Sequence, residues 1–179
     1  MTNDADCNAV TPGEATQTRL VEPSDADFVA MARKDARLPS GLTLAPGGVE
    51  LPAVLERIRV VASRLREGGS GATWMIVAGE TVVGLIGHKG LPIRGVVEIG
   101  YGVAASYRER GHATRAVAAV LSAARTDPAV NVIEATTTFA NVASHRVLEK
   151  NGFTRVGRRY DPDDGDLILW RRAVAPGDL

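Results

Sequence analysis

Residues 107–116 read YRERGHATRA, a junction in which Arg108 and Arg110 bracket Glu109, Gly111 follows, and His112, Ala113 and Thr114 lead into small apolar residues. If a helix starts here, its first backbone N–H groups have no partner within it, and with the helix dipole they make an anion site. Gly111 allows close approach of a ligand, Ala113 and Thr114 are too small to cover the amides, and the two arginines can add charge-assisted contacts. A phosphate group is the natural occupant. The plainer alternative is a strand-to-helix turn that required a glycine, with arginines on a solvated surface.

Upstream, in VVEIGYGV, Glu98 shares one strand face with Gly100 and Gly102, because alternate residues of a strand point the same way. A carboxylate beside two positions without side chains is a candidate proton acceptor with room for a substrate; an ordinary solvent-facing strand glutamate is the alternative. Downstream, NVASHRVLEKNG opens with Asn141 as a helix cap and carries Ser144 in the first turn, where capping alone would account for both. His88, His112 and His145 have no ligand-like spacing, so no metal is expected. The acidic stretch YDPDDGD reads first as a turn, although it could attract a cationic amine. Leu85 and its strand neighbours read as core.

These residues need elements to hold them. A short strand near Leu20–Glu22 precedes a helix capped by Ser24 or Asp25 and carrying Phe28, Val29 and Met31. Residues 38–50, rich in breakers, read as a loop. A second helix comes next, with Val54, Leu55, Ile58, Val61, Ala62 and Leu65 at helical spacing. Two strands about the Gly79-Glu80 turn and a third through GVVEIGYGVAA form an antiparallel meander. The helix from about Gly111 to Arg125 then leads to the strand VNVIEATTTFA; strand, helix and strand in this order predict parallel neighbours at 96–104 and 131–139. The Asn141 helix and two strands around the acidic turn complete the chain. The fold class is α+β: one mixed sheet of six to seven strands, an antiparallel meander plus a parallel splayed pair, with helices on both faces. Residues 1–17 read as a flexible leader and 18–175 as one domain.

Composition narrows the function. Twenty-one basic residues cancel twenty-one acidic ones, so no global field draws the chain to nucleic acid or to an anionic membrane. With no apolar run of membrane-spanning length and no basic, apolar leader of the secretory kind, a cytoplasmic location is expected. Cys7 is the single cysteine, which excludes an internal disulfide, and its polar surroundings argue against a reactive thiol.

The motifs together resemble the GNAT superfamily of acyl-CoA-dependent N-acyltransferases. Its diphosphate-binding pattern Q/R-x-x-G-x-G/A is matched by Arg108, Gly111 and Ala113 in R-E-R-G-H-A, after the family's strand as VEIGYGVAASY, and its Asn-led second helix appears as NVASHRVLEKNGF. The likeness covers roughly residues 72–174. The N-x-x-S form looks most like the branch that acetylates ribosomal-protein N-termini.

The resemblance implies acetyl-CoA as cosubstrate, with Arg108, Arg110, Gly111, His112, Ala113 and Thr114 around its diphosphate. It also implies Val103 and Ala105 along the pantetheine arm, Asn141 against the arm or the helix start, and the amide near Gly102 or Val103 aimed at the thioester oxygen. Glu98 would take the amine's proton, directly or through water. Many members carry a tyrosine where this chain has Leu148, and the branch resembled assigns the acid role to the serine at Ser144. A peptide α-amine is about a tenth neutral at pH 7 and lysine far less, so an exposed, weakly perturbed carboxylate suits an α-amine better. The expected acceptor is a protein or peptide N-terminus, then a small amine such as an amino acid, polyamine or antibiotic; a non-catalytic acyl-CoA sensor is the rival of another class. A homodimer stays open.

Overall fold

The computed structural model describes residues 17–69 and 72–174, so the expected leader lies almost wholly, and Cys7 entirely, outside the described residues. The chain runs β1 (Thr18–Val21), α1 (Asp25–Arg33), β2 (Thr43–Leu44), α2 (Pro52–Glu67), β3 (Thr73–Ala78), β4 (Thr81–His88) and β5 (Val96–Val103). It continues through a 3₁₀ turn at Ala105–Tyr107 to α3 (His112–Ala124), β6 (Val132–Thr138), α4 (Val142–Lys150), β7 (Thr154–Asp161) and β8 (Gly165–Ala173). The strands form one sheet in the order β1-β3-β4-β5-β6-β8-β7.

Local chemistry accounts for most boundaries. Ser24 and Asp27 cap α1 reciprocally, each side chain accepting from the other's amide at 3.1 and 2.9 Å. Pro52 opens α2, where its missing N–H costs nothing. β3 and β4 turn at Gly79, whose φ of 57° suits glycine. The expected loop at 38–50 contains β2, which pairs in parallel with Thr81 and Val82 on the edge of β4 just beyond the last β5 residue. This makes eight strands where six to seven were expected. Two residues among prolines and glycines carry no readable period.

Two apolar layers sandwich the sheet. Val117, Val120 and Leu121 of α3 and Leu148 of α4 pack on Ile86, Ile99, Ile133 and Trp170, while Phe28 and Met31 of α1 and Leu55 of α2 cover Met75, Val77 and Leu85. The second stripe of α2, Val54, Ile58 and Val61, stays half-buried. It lines a cleft, with Ile58 also packed against the core.

The parallel pair was expected between β5 and β6, and it is there, but only from Val96↔Val132 to Ile99↔Ala135. Beyond Ile99, β5 stays with β4 as far as Val103↔Gly84, and β6 goes on with β8 as far as Thr138↔Leu167. The two strands therefore part at the middle of the sheet. β3 and β4 slip register between Ile76 and Val77, beside Gly84, which pairs with Val103 of β5. A methyl group on Gly84 would overlap the carbonyl oxygen of Gly102.

Candidate active site

The start of α3 is open. α1 and α4 carry side-chain caps, from Ser24 and Asn141, but Gly111 at the head of α3 caps nothing. Glu109 and Gly111 both have left-handed backbone, φ 62° and 79°, which curls the loop so that successive amides converge. None of the amides of residues 110–114 finds an acceptor among the described residues; the ladder begins with Arg115 N–H donating to Gly111. Such donors, at the positive end of a thirteen-residue helix, fit a diphosphate.

The side chains around this corner differ in part from expectation. Arg108 folds back so that its Nε donates to the Val103 carbonyl at 3.2 Å, and Arg110 lies over the Tyr107 ring, 5.0 Å from its centroid. Both are exposed and can reach the loop by changing rotamer. The His112 imidazole is buried, with Nδ1 3.0 Å from the Thr18 hydroxyl and its ring against Tyr107. Burial first, then the Arg115 and Arg110 charges, lower its pKa. Only its backbone amide faces the anion site as a donor.

The sequence reading missed Arg115. Its Nε donates to Thr18 and its Nη2 to the Arg110 carbonyl, both at 2.8 Å, so it ties the loop to β1. It also stands where a Cβ on Gly111 would go. Asn151 was missed as well. From the end of α4 it donates to the carbonyls of Val147 and, across the helix pair, Thr114.

The parting of β5 and β6 leaves an edge, and the hydrogen-bond register identifies which groups it presents. Lys89 N–H donates to the Glu98 carbonyl and Ala104 N–H to the Val83 carbonyl. Pairs of residues exchanging bonds alternate along an antiparallel ladder, so the unbroken register between these two points directs Gly100 and Gly102 toward β4. The amides of Tyr101 and Val103 face the parting. Of the two residues expected near a thioester oxygen, Val103 has its amide toward the parting, while that of Gly102 is directed toward β4. Ala105 lies in the 3₁₀ turn just beyond, exposed.

A cleft of about 600 Å³ passes through this gap. On one side lie Glu50, Val54, Arg57, Ile58 and Val61; the other reaches Thr137, Asn141 and Ser144; Asp161 at the end of β7 and Asp163 and Asp164 of the turn to β8 also line it. Asp161 accepts from the amides of Asp163 and Asp164, the turn role read from its sequence.

Glu98, expected to be an exposed proton acceptor, is neither open nor free. Its side chain is 18% exposed. Oε1 accepts from Lys89 Nζ at 2.7 Å and from the Thr136 hydroxyl at 2.9 Å, and Oε2 accepts from Arg159. Lys89 also lies across Gly100, its Cε 3.3 Å from the place of a Cβ, so the space beside Gly100 is filled. Burial works to raise the Glu98 pKa, but the bonds from Lys89 and Arg159, the Lys89 charge and the Thr136 hydroxyl outweigh it and hold the carboxyl below its ordinary 4.5.

A depressed folded-state pKa stabilises the protein above the unfolded value, and that contribution is lost as pH falls from about 4.5 toward the folded pKa. Glu98→Gln, which leaves two cations facing each other, is expected to cost about 2 kcal/mol at pH 7, or roughly 4–8 °C in Tm for a chain of this size. Melting curves of both proteins from pH 7 to pH 3 check it. The gap closes at the acid end; a gap independent of pH would mean that the carboxylate charge is not what Glu98 contributes.

On the far side of the parting, the Asn141 side chain accepts from Ser144 N–H at 3.1 Å, so it caps α4 as read. Ser144 is half-buried, on the cleft wall. Leu148, in the place where many family members carry a tyrosine, is fully buried in the core. A phenol arrives instead from β5: Tyr101 lines the cleft and its hydroxyl donates to the Ser144 carbonyl at 3.3 Å. Burial pushes its pKa up to about 12, so it stays protonated at neutral pH. Among the described residues no group of three His, Cys, Asp or Glu side chains is placed to hold a metal, and no helix is long and apolar enough to cross a membrane.

Comparison with known proteins agrees with this geometry. The family model described as an acetyltransferase (GNAT) domain matches residues 18–154. No curated protein matches the chain significantly in sequence. Among solved structures, RimL, the ribosomal L7/L12 alpha-N-protein acetyltransferase in complex with coenzyme A, superposes with a TM-score of 0.70 at 15% identity over 92% of this chain and 98% of its own. Mycobacterium smegmatis RimJ in complex with CoA-disulfide gives 0.67 at 23% identity over 89% and 83%. The aminoglycoside acetyltransferase AAC(6')-Ib with coenzyme A gives 0.65 at 18% identity over 88% and 95%.

Proposed function

Because the chain belongs to the GNAT acetyltransferase family, we propose that it transfers an acetyl group directly from acetyl-CoA to an amine, with a protein or peptide N-terminus as acceptor. The observation that carries the reading is the alignment of two features: the uncapped amides of residues 110–114, and the open edge of β5 that begins two residues beyond the last β5–β6 pair.

In this reading the amides of residues 110–114, with Arg108 and Arg110, hold the diphosphate. Val103 and Ala105 border the pantetheine arm, and the Val103 N–H donates to the thioester oxygen as charge develops on it. The neutral amine forms a bond to the thioester carbon while the carbon–sulfur bond breaks, its electron pair leaving on sulfur. Ser144 is positioned on the cleft wall to return a proton to that sulfur, and Asn141 holds the helix start that carries Ser144. No nucleophile for a covalent acyl-enzyme is needed.

The N-terminal acceptor is supported by the N-x-x-S helix and by a fold shared with RimL, named for acting on a ribosomal protein. A small cationic amine is the second reading, favoured by Asp163 and Asp164 lining the cleft and by the fold shared with an aminoglycoside acetyltransferase. The test couples a calorimetric titration with CoA to thiol release from acetyl-CoA in the presence of Ser- and Ala-initiated hexapeptides, spermidine and kanamycin. Binding with turnover of a peptide is the expected result. Faster turnover of spermidine or kanamycin selects the second reading, and CoA binding without turnover of any amine would favour an acyl-CoA sensor.

A further inference from the structure

We infer that Glu50, rather than Glu98, takes the proton from the acceptor amine; the inference rests on the acetyl-transfer reading above and assigns its missing base. Glu98 has both oxygens engaged by two cations and a hydroxyl, so accepting a proton would break an ion pair. Glu50 lines the cleft itself, half-buried, just before α2. Its Oε1 accepts from the neighbouring Leu51 amide at 2.9 Å, while Oε2 lies 3.6 Å from the place a Cβ on Gly102 would take. Among the described residues it makes no ion pair.

That position matters because Val103, the residue after Gly102, presents its amide to the parting of β5 and β6. The free oxygen of Glu50 and the proposed oxyanion donor thus flank one backbone segment, and any side chain at position 102 would project toward the Glu50 oxygen. Glycine keeps that gap open. The other charged groups bordering the cleft are Arg57 from α2, Lys89 after β4, Asp161 at the end of β7, and Asp163 and Asp164 from the turn to β8. Arg57 faces Asp163 at 4.0 Å and Lys89 is held by Glu98, so neither cation is paired with Glu50. His88 shares the opposite sheet face with Ile86 and meets Trp74 edge-on.

The proton count closes. The arriving ammonium gives one proton to Glu50, the freed nitrogen pair bonds to the thioester carbon, and the carbon–sulfur pair leaves as thiolate. The second nitrogen proton is released to the sulfur by way of Ser144 or water, and Glu50 discharges its proton to solvent through the open cleft. One amine N–H is replaced by N–acetyl, one thiol is formed, and one proton is released.

The experiment measures kcat and kcat/KM against pH for wild type, Glu50→Gln, Glu50→Ala and Glu98→Gln. It uses acetyl-CoA and the fastest acceptor among the hexapeptides, spermidine and kanamycin, with calorimetric titration of CoA alongside. Glu50→Gln and Glu50→Ala are expected to lower kcat about 100-fold and to flatten the acid limb of the profile, within the range for a general base. Their affinity for CoA should stay within about threefold of wild type. Glu98→Gln is expected to lose thermal stability yet keep the acid limb. An intact acid limb and near wild-type kcat in both Glu50 variants, with CoA still bound, overturns the assignment of Glu50 alone; no CoA binding by wild type overturns the acetyl-transfer reading itself.

Discussion

Ala113→Asp is expected to raise the Kd for CoA at least 100-fold while leaving Tm unchanged or slightly higher. Ala113 is the second residue of α3, where the N–H groups have no partner among the described residues. A carboxylate there can accept from those amides and complements the helix dipole, a contribution of about 0.3–1 kcal/mol to folding. The same carboxylate occupies the donors a diphosphate would use and sets a like charge beside it. Losing two charge-assisted hydrogen bonds of roughly 1.5–3 kcal/mol each amounts to between two and four decades of affinity. Ala113→Ser, small and uncharged, is the control and should bind CoA within about tenfold of wild type. Calorimetry and a melting curve decide it: a CoA affinity for Ala113→Asp within about fivefold of wild type would place the anion elsewhere.

The opposite signs of those two effects reflect how the site is built. Stability and binding compete for the same amides, and the chain leaves them uncapped at α3 while capping α1 with Ser24 and α4 with Asn141. That contrast was legible from residue types alone, because capping is a local matter of one side chain and its own helix. So were the apolar stripe of α3 and the order strand, helix, strand that makes β5 and β6 parallel. Residues 98, 100 and 102 share a face as the two-residue period requires.

Period and propensity do not carry the partner. Glu98 reads as an open carboxylate until β7 brings Arg159, sixty-one residues away, and Lys89 turns back after β4. Tyr101 reads as one more strand aromatic until α4 sets the Ser144 carbonyl at its hydroxyl, and Arg115 carries no readable role until β1 supplies Thr18. Glu50 falls in a stretch of breakers with no period at all. Even the choice between the amides of Gly102 and Val103 depends on the register with β4. Each is a long-range fact, determined by how the sheet assembles.

Val103→Pro turns that last distinction into a measurement. Proline removes a backbone donor, and in a paired strand position this breaks a ladder bond. The Val103 N–H, however, faces the parting and not β4, so its loss leaves the β4–β5 ladder intact; proline is tolerated where the N–H points off a sheet edge, and the extended backbone required before it suits a strand residue at 102. The variant is therefore expected to melt within about 5 °C of wild type, while kcat for acetyl transfer falls about 100- to 1000-fold, the loss associated with one oxyanion donor. Val103→Ala keeps the N–H, trims only the side chain, and should retain kcat within about fivefold. If Gly102 held the donor instead, Val103→Pro would transfer acetyl groups nearly as fast as Val103→Ala. Steady-state kcat for the two variants with one acceptor, beside their melting curves, separates the two amides.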